Sequence, residues 1–584
     1  MSPRASRLAF AALCVVHAGL LIGVSWHNFV TADEGAFLAC GVNHWRTGTY
    51  HGYRVNPPLV RMIAAAPLFA AGFEWQGEFG EDTPGFRQEF ETGHAFAEAN
   101  ASRYLLLLRL ARLAGIGWSL LAAWAIWSWA SDLYGPGAGL FGACLWCFGP
   151  NVFGHASLVT HDIPAASAAV VATYAFWRYL LAPSWAGAAH CGFLLGVAQL
   201  VKFTLLGLYV LWPLLALVAA FGKPGYRLRL GHAALVILLS LIVLNAGYEF
   251  TGTGKQLGEL PFVSRAFTGE SLAPGHTGNR FAGTWLGMTP CLVPEDFIRG
   301  IDTQRRDFEQ FPSWQGAYLR GEWRKEGWWH YYLYGFLVKV PLGSWAAVLL
   351  ALTLVVSSRP CAEGLAPWLA AAFFLALVSS QTGINHHVRY AFPVLPFAAI
   401  AAAGSARPGP RLRVGLAWAF LVLTAASSLS VWPRSLSYFN EAAGGPGNGP
   451  AHLLDSNIDW GQDLYHLKEW HDANKEARPL RLALFIGFEP ELIGLDGGYA
   501  QGMPHPSASE EERKRCGPLP GWYAVSVNRL HGMGGGPIAA RGTPHDGHGW
   551  FKLFKPVARI GWTIHIYHIR PDEAAEARRF LGLP

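Results

Sequence analysis

Long apolar blocks separated by short polar connections dominate this chain. Blocks of the roughly 17–25 residues that a helix needs to cross a bilayer begin near Leu8, Leu113, Ala138, Ile163, Ala186, Thr204, Leu230, Tyr332, Leu365, Phe392 and Val414. They predict about eleven transmembrane helices, those near Ala138 and Phe392 being the shortest. The first block follows Arg4 and Arg7 and is not followed by a small-x-small cleavage site, so it reads as an uncleaved first helix.

The polar connections alternate in character. Arg4 and Arg7, Arg178, Lys223 with Arg227 and Arg229, Arg359, and Arg407 with Arg411 and Arg413 fall on alternate connections, which the positive-inside bias makes cytoplasmic. The opposite side then receives residues 27–103, 151–162, 250–330, 381–391 and the tail from 433. The tail differs in texture: a Gly/Pro linker at 444–450, a helical stretch over Leu464–Ala473, then the apolar runs Leu482–Phe488, Trp522–Val527 and Ile564–Ile569. Those short runs, rich in β-branched and aromatic residues, suit strands. The expected fold class is an all-α polytopic membrane domain over 1–432, with outer loops 27–103 and 250–330, followed by a small α/β extramembrane domain over 433–584.

Composition sharpens this. Hydrophobic residues make up 52% and charged residues 14% of the 584, where a soluble protein carries about a quarter charged. The formal net charge of +6 suits loop arginines and phosphate-binding cations, not a nucleic-acid partner. The eight cysteines show no disulfide framework, and Cys144-x-x-Cys147 sits within an apolar block as packing. The aromatic run at 328–332 reads as a membrane-interface belt.

Ionisable residues at the outer ends of spans carry the chemical information, since burying them is costly without a partner or a function. They are Asp33 and Glu34, Arg109 and Arg112, His161 and Asp162, Lys202, Lys339, and His386, His387 and Arg389, all near one membrane face. Asp33 and Glu34 are adjacent and cannot share a helix face, so they are expected to do different jobs. Asp162, ahead of Ile163-Pro164, suits a helix N-cap as well as a ligand-binding role. The set fits displacement at a sugar carbon bearing a phosphate leaving group: a carboxylate, Asp33, as general base, and cations to balance the phosphate. Asp455-x-Asn457-x-Asp459 imitates the start of a calcium loop but has Trp460 where the loop needs Gly and His466 where it needs Glu.

Asp33-Glu34 followed by Asn56-Pro57-Pro58-Leu59 resembles the first outer loop of protein O-mannosyltransferases and the related bacterial aminoarabinose transferases, membrane glycosyltransferases of the GT-C superfold, family 39-like. Val159-Thr160-His161-Asp162-Ile163-Pro164 resembles their second acidic site, Leu200-Val-Lys202-Phe-Thr204 their lysine segment, and Phe336-Leu-Val-Lys339-Val-Pro341 and His386-His-Val-Arg389-Tyr390 segments of the bacterial branch. Ser456-Asn-Ile-Asp459-Trp460-Gly461-Gln462-Asp463-Leu464 and the closing 554–562 stretch are similar to that branch too. Asn56 stands where the protein mannosyltransferases usually have His, and Val60-Arg61 where they have Gly-Lys.

The resemblance implies Asp33 as catalytic base assisted by Glu34. It implies donor binding by Arg112, Asp162, Lys202, Lys339, His386, His387, Arg389 and Tyr390, and loop or acceptor support from Asn56, Pro57 and Pro58. The implied donor is a polyprenyl-phosphate sugar, used with inversion by an enzyme of a bacterial inner membrane whose site faces the periplasm. No cofactor is certain: Asp162 and Glu34 could hold a divalent metal ion, or the cations could manage the phosphate alone. The rival reading is a transporter or flippase of lipid-linked sugars, against which stand the gathering of charge at one face and the lack of half-to-half symmetry.

Overall fold

The computed structural model describes residues 1–75, 82–222, 229–273, 275–357, 362–381 and 384–584. Lys223, Arg227 and Arg359, expected in cytoplasmic loops, lie outside them, as does Cys361. Most of the chain is helical, and it is an integral membrane protein. Among the described residues four helices are long and apolar enough to cross a membrane: Pro3–His27, Tyr104–Tyr134, Phe203–Phe221 and Arg411–Ser430. Shorter apolar helices include Pro136–Cys147, Leu230–Ala246 and Val394–Ala406. The first helix is started by Ser2, whose hydroxyl accepts from Ala5 N, with Pro3 in the first turn. Leu8, Val15 and Val16 stand exposed on its outer face, as a lipid-facing helix requires.

Tyr331–Lys339 and Leu342–Ser357 form a broken pair bent by 115°. Pro341 explains the break, because it cannot donate to the helix ladder and holds Val340 extended (φ −108°, ψ 135°). A close approach of helices marks Gly192-Phe-Leu-Leu-Gly196. A Cβ on Gly192 would lie 2.8 Å from Val236 O, and one on Gly196 2.7 Å from Ser240 O, the small-x-x-x-small contact of packed membrane helices.

The tail carries a four-stranded sheet. Leu480–Ala483 runs parallel to Gly521–Ser526, which pairs antiparallel with Ile564–Ile569, which in turn pairs antiparallel with Ala558–Ile560. The helical stretch falls at Leu464–Ala473, and two of the three expected strands fall where the apolar runs placed them. One face of the sheet (Leu482, Ile564, Ile566) shares a core with Phe29, Val30 and Phe37 of the first outer loop. The other face packs Tyr523, Val525 and Tyr567 on Trp550 and Phe551. Phe29 N donates to Gln462 O (2.9 Å) and Ala32 N to Trp460 O (3.0 Å), so residues 28–33 lie along the 460–462 segment.

The 250–330 loop ends in a hairpin, Ala317–Leu319 against Glu322–Arg324, turned by Arg320 and Gly321, both at positive φ. Of the aromatic run expected as an interface belt, Trp329 is well exposed. Tyr331 and Tyr332 are buried, their hydroxyls donating to His386 O and Ile384 O.

Candidate functional site

A cavity of about 770 Å³ opens where the first outer loop, the 157–162 turn, the 199–207 break and the 384–390 segment meet. A chain of four charges crosses its floor. Lys202 Nζ donates to Asp162 Oδ1 at 2.6 Å, Arg389 Nη1 to Asp162 Oδ2 at 3.1 Å, and Arg389 Nη2 to Asp33 Oδ2 at 3.2 Å. Arg389 lies over the Trp460 ring at 4.1 Å, and Lys202 over Tyr390 at 4.9 Å. These rings wall the cations off from competing water.

Local structure explains each placement. Asp162 is the first residue of the helix Asp162–Leu181, so the helix N-terminus favours its negative charge. Its carboxylate does not cap that helix; both oxygens serve the cations. Lys202 sits in extended backbone between Trp185–Gln199 and the 3-10 turn Phe203–Gly207. Asp33 occupies the N-cap of Glu34–Thr47 without capping it, and its side chain, 27% exposed, faces the cavity. Burial pushes the Asp33 carboxyl above its ordinary 3.8, against the lowering pull of Arg389.

Glu34 turns the other way. It is fully buried and accepts five hydrogen bonds: from Thr31 N and Oγ1, Arg112 Nε and Nη2, and Val159 N. Arg112, also fully buried, spends its remaining donors on the carbonyls of Ser25, Asn28 and Phe29. With every lone pair and donor taken, the pair is a clamp joining the first helix, the Asp33 loop and the 157–159 turn. Neither Glu34, expected in the catalytic pair, nor Arg112, expected to bind the donor, lines the cavity. Glu34 also has no lone pair left for a metal ion, and Asp162 already holds two cations.

Two other expected donor-binding residues lie outside the cavity lining. Lys339 Nζ donates to Leu436 O and Asn457 O beneath the Pro341 break. His386 packs edge-on against Phe311 and offers its carbonyl to Asn457 Nδ2. His387 and Tyr390 do line the cavity, with His387 Nδ1 at 2.7 Å from Ser456 Oγ and 3.4 Å from Asp455 Oδ1. Asn56 lines the cavity, whereas Pro57 and Pro58 do not; Arg61 holds this loop by the carbonyls of Tyr53, Asn56 and Pro57.

The structure adds residues that sequence reasoning did not single out for the site. Tyr53, Arg87, Arg306, Asp307, Asp455 and Trp460 all reach the lining. Asp455 adopts a left-handed backbone (φ 63°), a local strain that turns its carboxylate toward His386 and His387. Trp460 belonged to a segment similar to the bacterial branch and Asp455 to the stretch that imitates a calcium loop, but nothing local marked them as facing the cavity. Three buried polar atoms of lining residues have no partner among the described residues: Arg389 Nε, Asn56 Oδ1 and His161 Nδ1.

The fold can be set beside solved structures. ArnT from Cupriavidus metallidurans in the apo state aligns with 96% of this chain and 98% of its own, at 14% identity and TM-score 0.46. The Saccharomyces cerevisiae protein O-mannosyltransferase Pmt1-Pmt2 complex, bound to the sugar donor, aligns with 74% of this chain and 90% of its own, at 12% identity and TM-score 0.46. The Archaeoglobus fulgidus oligosaccharyltransferase aligns with 89% of this chain and 70% of its own, at 11% identity and TM-score 0.43. No curated protein matches the sequence. Residues 108–247, a span that holds Arg112, Asp162 and Lys202, match the family model described as dolichyl-phosphate-mannose-protein mannosyltransferase, a glycosyltransferase family.

Proposed function

We propose that the protein is an inverting membrane glycosyltransferase that moves a sugar from a polyprenyl-phosphate donor to an acceptor hydroxyl or amine on the extracytoplasmic face of a bacterial inner membrane. The observation that carries this is the charge chain across the cavity: two cations held by one carboxylate, with a second carboxylate at the end and Arg389 Nε unpaired. Buried donors without partners call for a ligand, and a guanidinium beside an ammonium suits a phosphate.

In this reading Arg389 and Lys202 take the donor phosphate, and Asp162 aims both cations. Asp33 accepts the acceptor's proton as its oxygen or nitrogen attacks the anomeric carbon. The bond from that carbon to the phosphate oxygen breaks, and its electron pair leaves on the polyprenyl phosphate between the two cations. Leu206, Leu377 and Val378 give the cavity an apolar wall from the membrane helices, where the lipid tail would enter. The eleven spans and an extramembrane sheet at 433–584 belong to the same proposal.

The test is release of polyprenyl phosphate by purified protein from a panel of radiolabelled polyprenyl-phosphate sugars, for wild type and Asp33→Asn. Loss of the base is expected to cost about 10²–10⁴-fold in rate. Binding of a donor by both proteins without turnover by either would favour the transporter reading instead.

A further inference from the structure

Behind the Asp33 loop, outside the cavity, a second cluster stands apart from the chemistry described so far. His27 ends the first helix, Asp463 precedes the helix Leu464–Ala473, and His466 lies in that helix's first turn. One ligand atom from each lies within 4.8 Å of the other two. His27 Nε2, Asp463 Oδ1 and His466 Nε2 are all buried, and none has a hydrogen-bond partner among the described residues. The two imidazoles stand 4.2 Å apart between ring centres. Three polar atoms left without partners and converging on one point are costly unless something binds them.

We infer that His27, Asp463 and His466 form a binding site for a divalent transition metal of the zinc class, which staples the first membrane helix to the segment carrying the sheet. Two imidazoles and a carboxylate are a donor set that zinc takes, with a water completing four ligands. An ion at their centre would lie at most about 2.8 Å from each atom. Drawing the three in by roughly 0.7 Å then reaches zinc's bond lengths of about 2.0–2.2 Å.

The outer contacts are those of a supported metal site. His466 Nδ1 lies 3.0 Å from Glu469 Oε2, which fixes Nε2 as the lone-pair nitrogen. Asp463 Oδ2 accepts from Thr563 Oγ1 at 2.8 Å, which leaves Oδ1 to face the histidines. Arg434 also faces the cluster. With Asp463 and Glu469 ionised, the surroundings still carry one net negative charge. The staple has a purpose in the fold: residues 28–33 lie along 460–462, so an ion joining 27 to 463 and 466 pins both segments at the end remote from Asp33.

The experiment uses full-length protein without a histidine tag, stripped with chelator, dialysed against Zn²⁺ and assayed by elemental analysis. Wild type and Asp162→Asn are expected to retain one equivalent of zinc. Asp463→Asn and the double variant His27→Ala/His466→Ala are expected to fall below about a tenth of an equivalent. Chelator should lower the thermal midpoint of wild type and leave that of Asp463→Asn unmoved. If the variants do not fold, Co²⁺ loaded into wild type reports by the d–d absorption of a four- or five-coordinate nitrogen/oxygen site, displaced by one equivalent of zinc. No stoichiometric metal in wild type, or metal lost in Asp162→Asn and kept in Asp463→Asn, would overturn the assignment.

Discussion

Arg389 is the residue through which Asp33 and Asp162 communicate, and replacing it by glutamine isolates what its charge does. It sits 3.2 Å from Asp33 and 3.1 Å from Asp162, with its guanidinium over Trp460. Burial already raises the Asp33 carboxyl above 3.8, and Arg389 is the strongest influence lowering it. An arginine in contact holds a carboxylate down, so its removal should raise Asp33 further.

The sign follows from the role. A general base works ionised, so kcat/KM rises with pH through the pKa of Asp33 in the free enzyme. Arg389→Gln should move this acid limb to higher pH, on top of a pH-independent loss from weaker phosphate binding. Lys202→Gln provides the contrast, because Lys202 bonds Asp162 and not Asp33: it should raise KM for the donor and move the limb much less. The assay is release of polyprenyl phosphate from the consumed donor across pH, with melting curves to confirm folding. A uniform loss in Arg389→Gln with the acid limb unmoved would refute the claim that this arginine tunes Asp33.

Three further predictions test the surroundings. Glu34→Gln should destabilise the protein by about 3–5 kcal/mol, because Arg112 is left buried without its counter-charge. A variant that melts like wild type yet is inactive would return Glu34 to the chemistry. Asp459, whose carboxyl burial pushes up to about 7 against Ser526 and Gly461, contributes most to stability when protonated and loses that as pH rises from 3.8 through about 7. Asp459→Asn should therefore flatten the fall in thermal midpoint between about pH 4 and 7, and an unchanged slope would exclude this carboxyl as its source. Gly196→Val places side-chain atoms where Ser240 O already lies 2.7 Å from a Cβ. It should lower the folded yield, read as the monodisperse fraction in detergent, and an unchanged fraction would show that the two helices can separate there.

Much of this architecture is legible because bilayer length, helix period and strand composition act locally. The Leu464–Ala473 helix and the strands Gly521–Ser526 and Ile564–Ile569 fall where apolar runs place them. The run Leu482–Phe488 behaves differently: its strand spans Leu480–Ala483, and the chain then turns in against the Asp33 loop, where a Cβ on Gly487 would lie 2.4 Å from Ala32 O. That approach is tertiary, and composition carries no trace of it. Ala558–Ile560 is too short, and too close to Pro556, to show as a strand.

The site divides along the same line. Asp33, Asp162, Lys202 and Arg389 stand out because each interrupts an apolar context, and the structure joins them in one chain. Arg112 stands out for the same reason, yet it is spent on Glu34 and three carbonyls. Both arginines are buried beside carboxylates, so neither burial nor charge separates them. The count of donors does: Arg112 has Nε, Nη1 and Nη2 all engaged within the protein, whereas Arg389 keeps Nε unpaired beside a cavity. His27 and His466 follow the same rule, since each keeps a buried Nε2 unpaired among the described residues and the two lie with Asp463 in one cluster. In a chain with this many buried ionisable groups, the unspent hydrogen-bonding capacity marks where a ligand belongs, and it exists only once the fold has spent the rest.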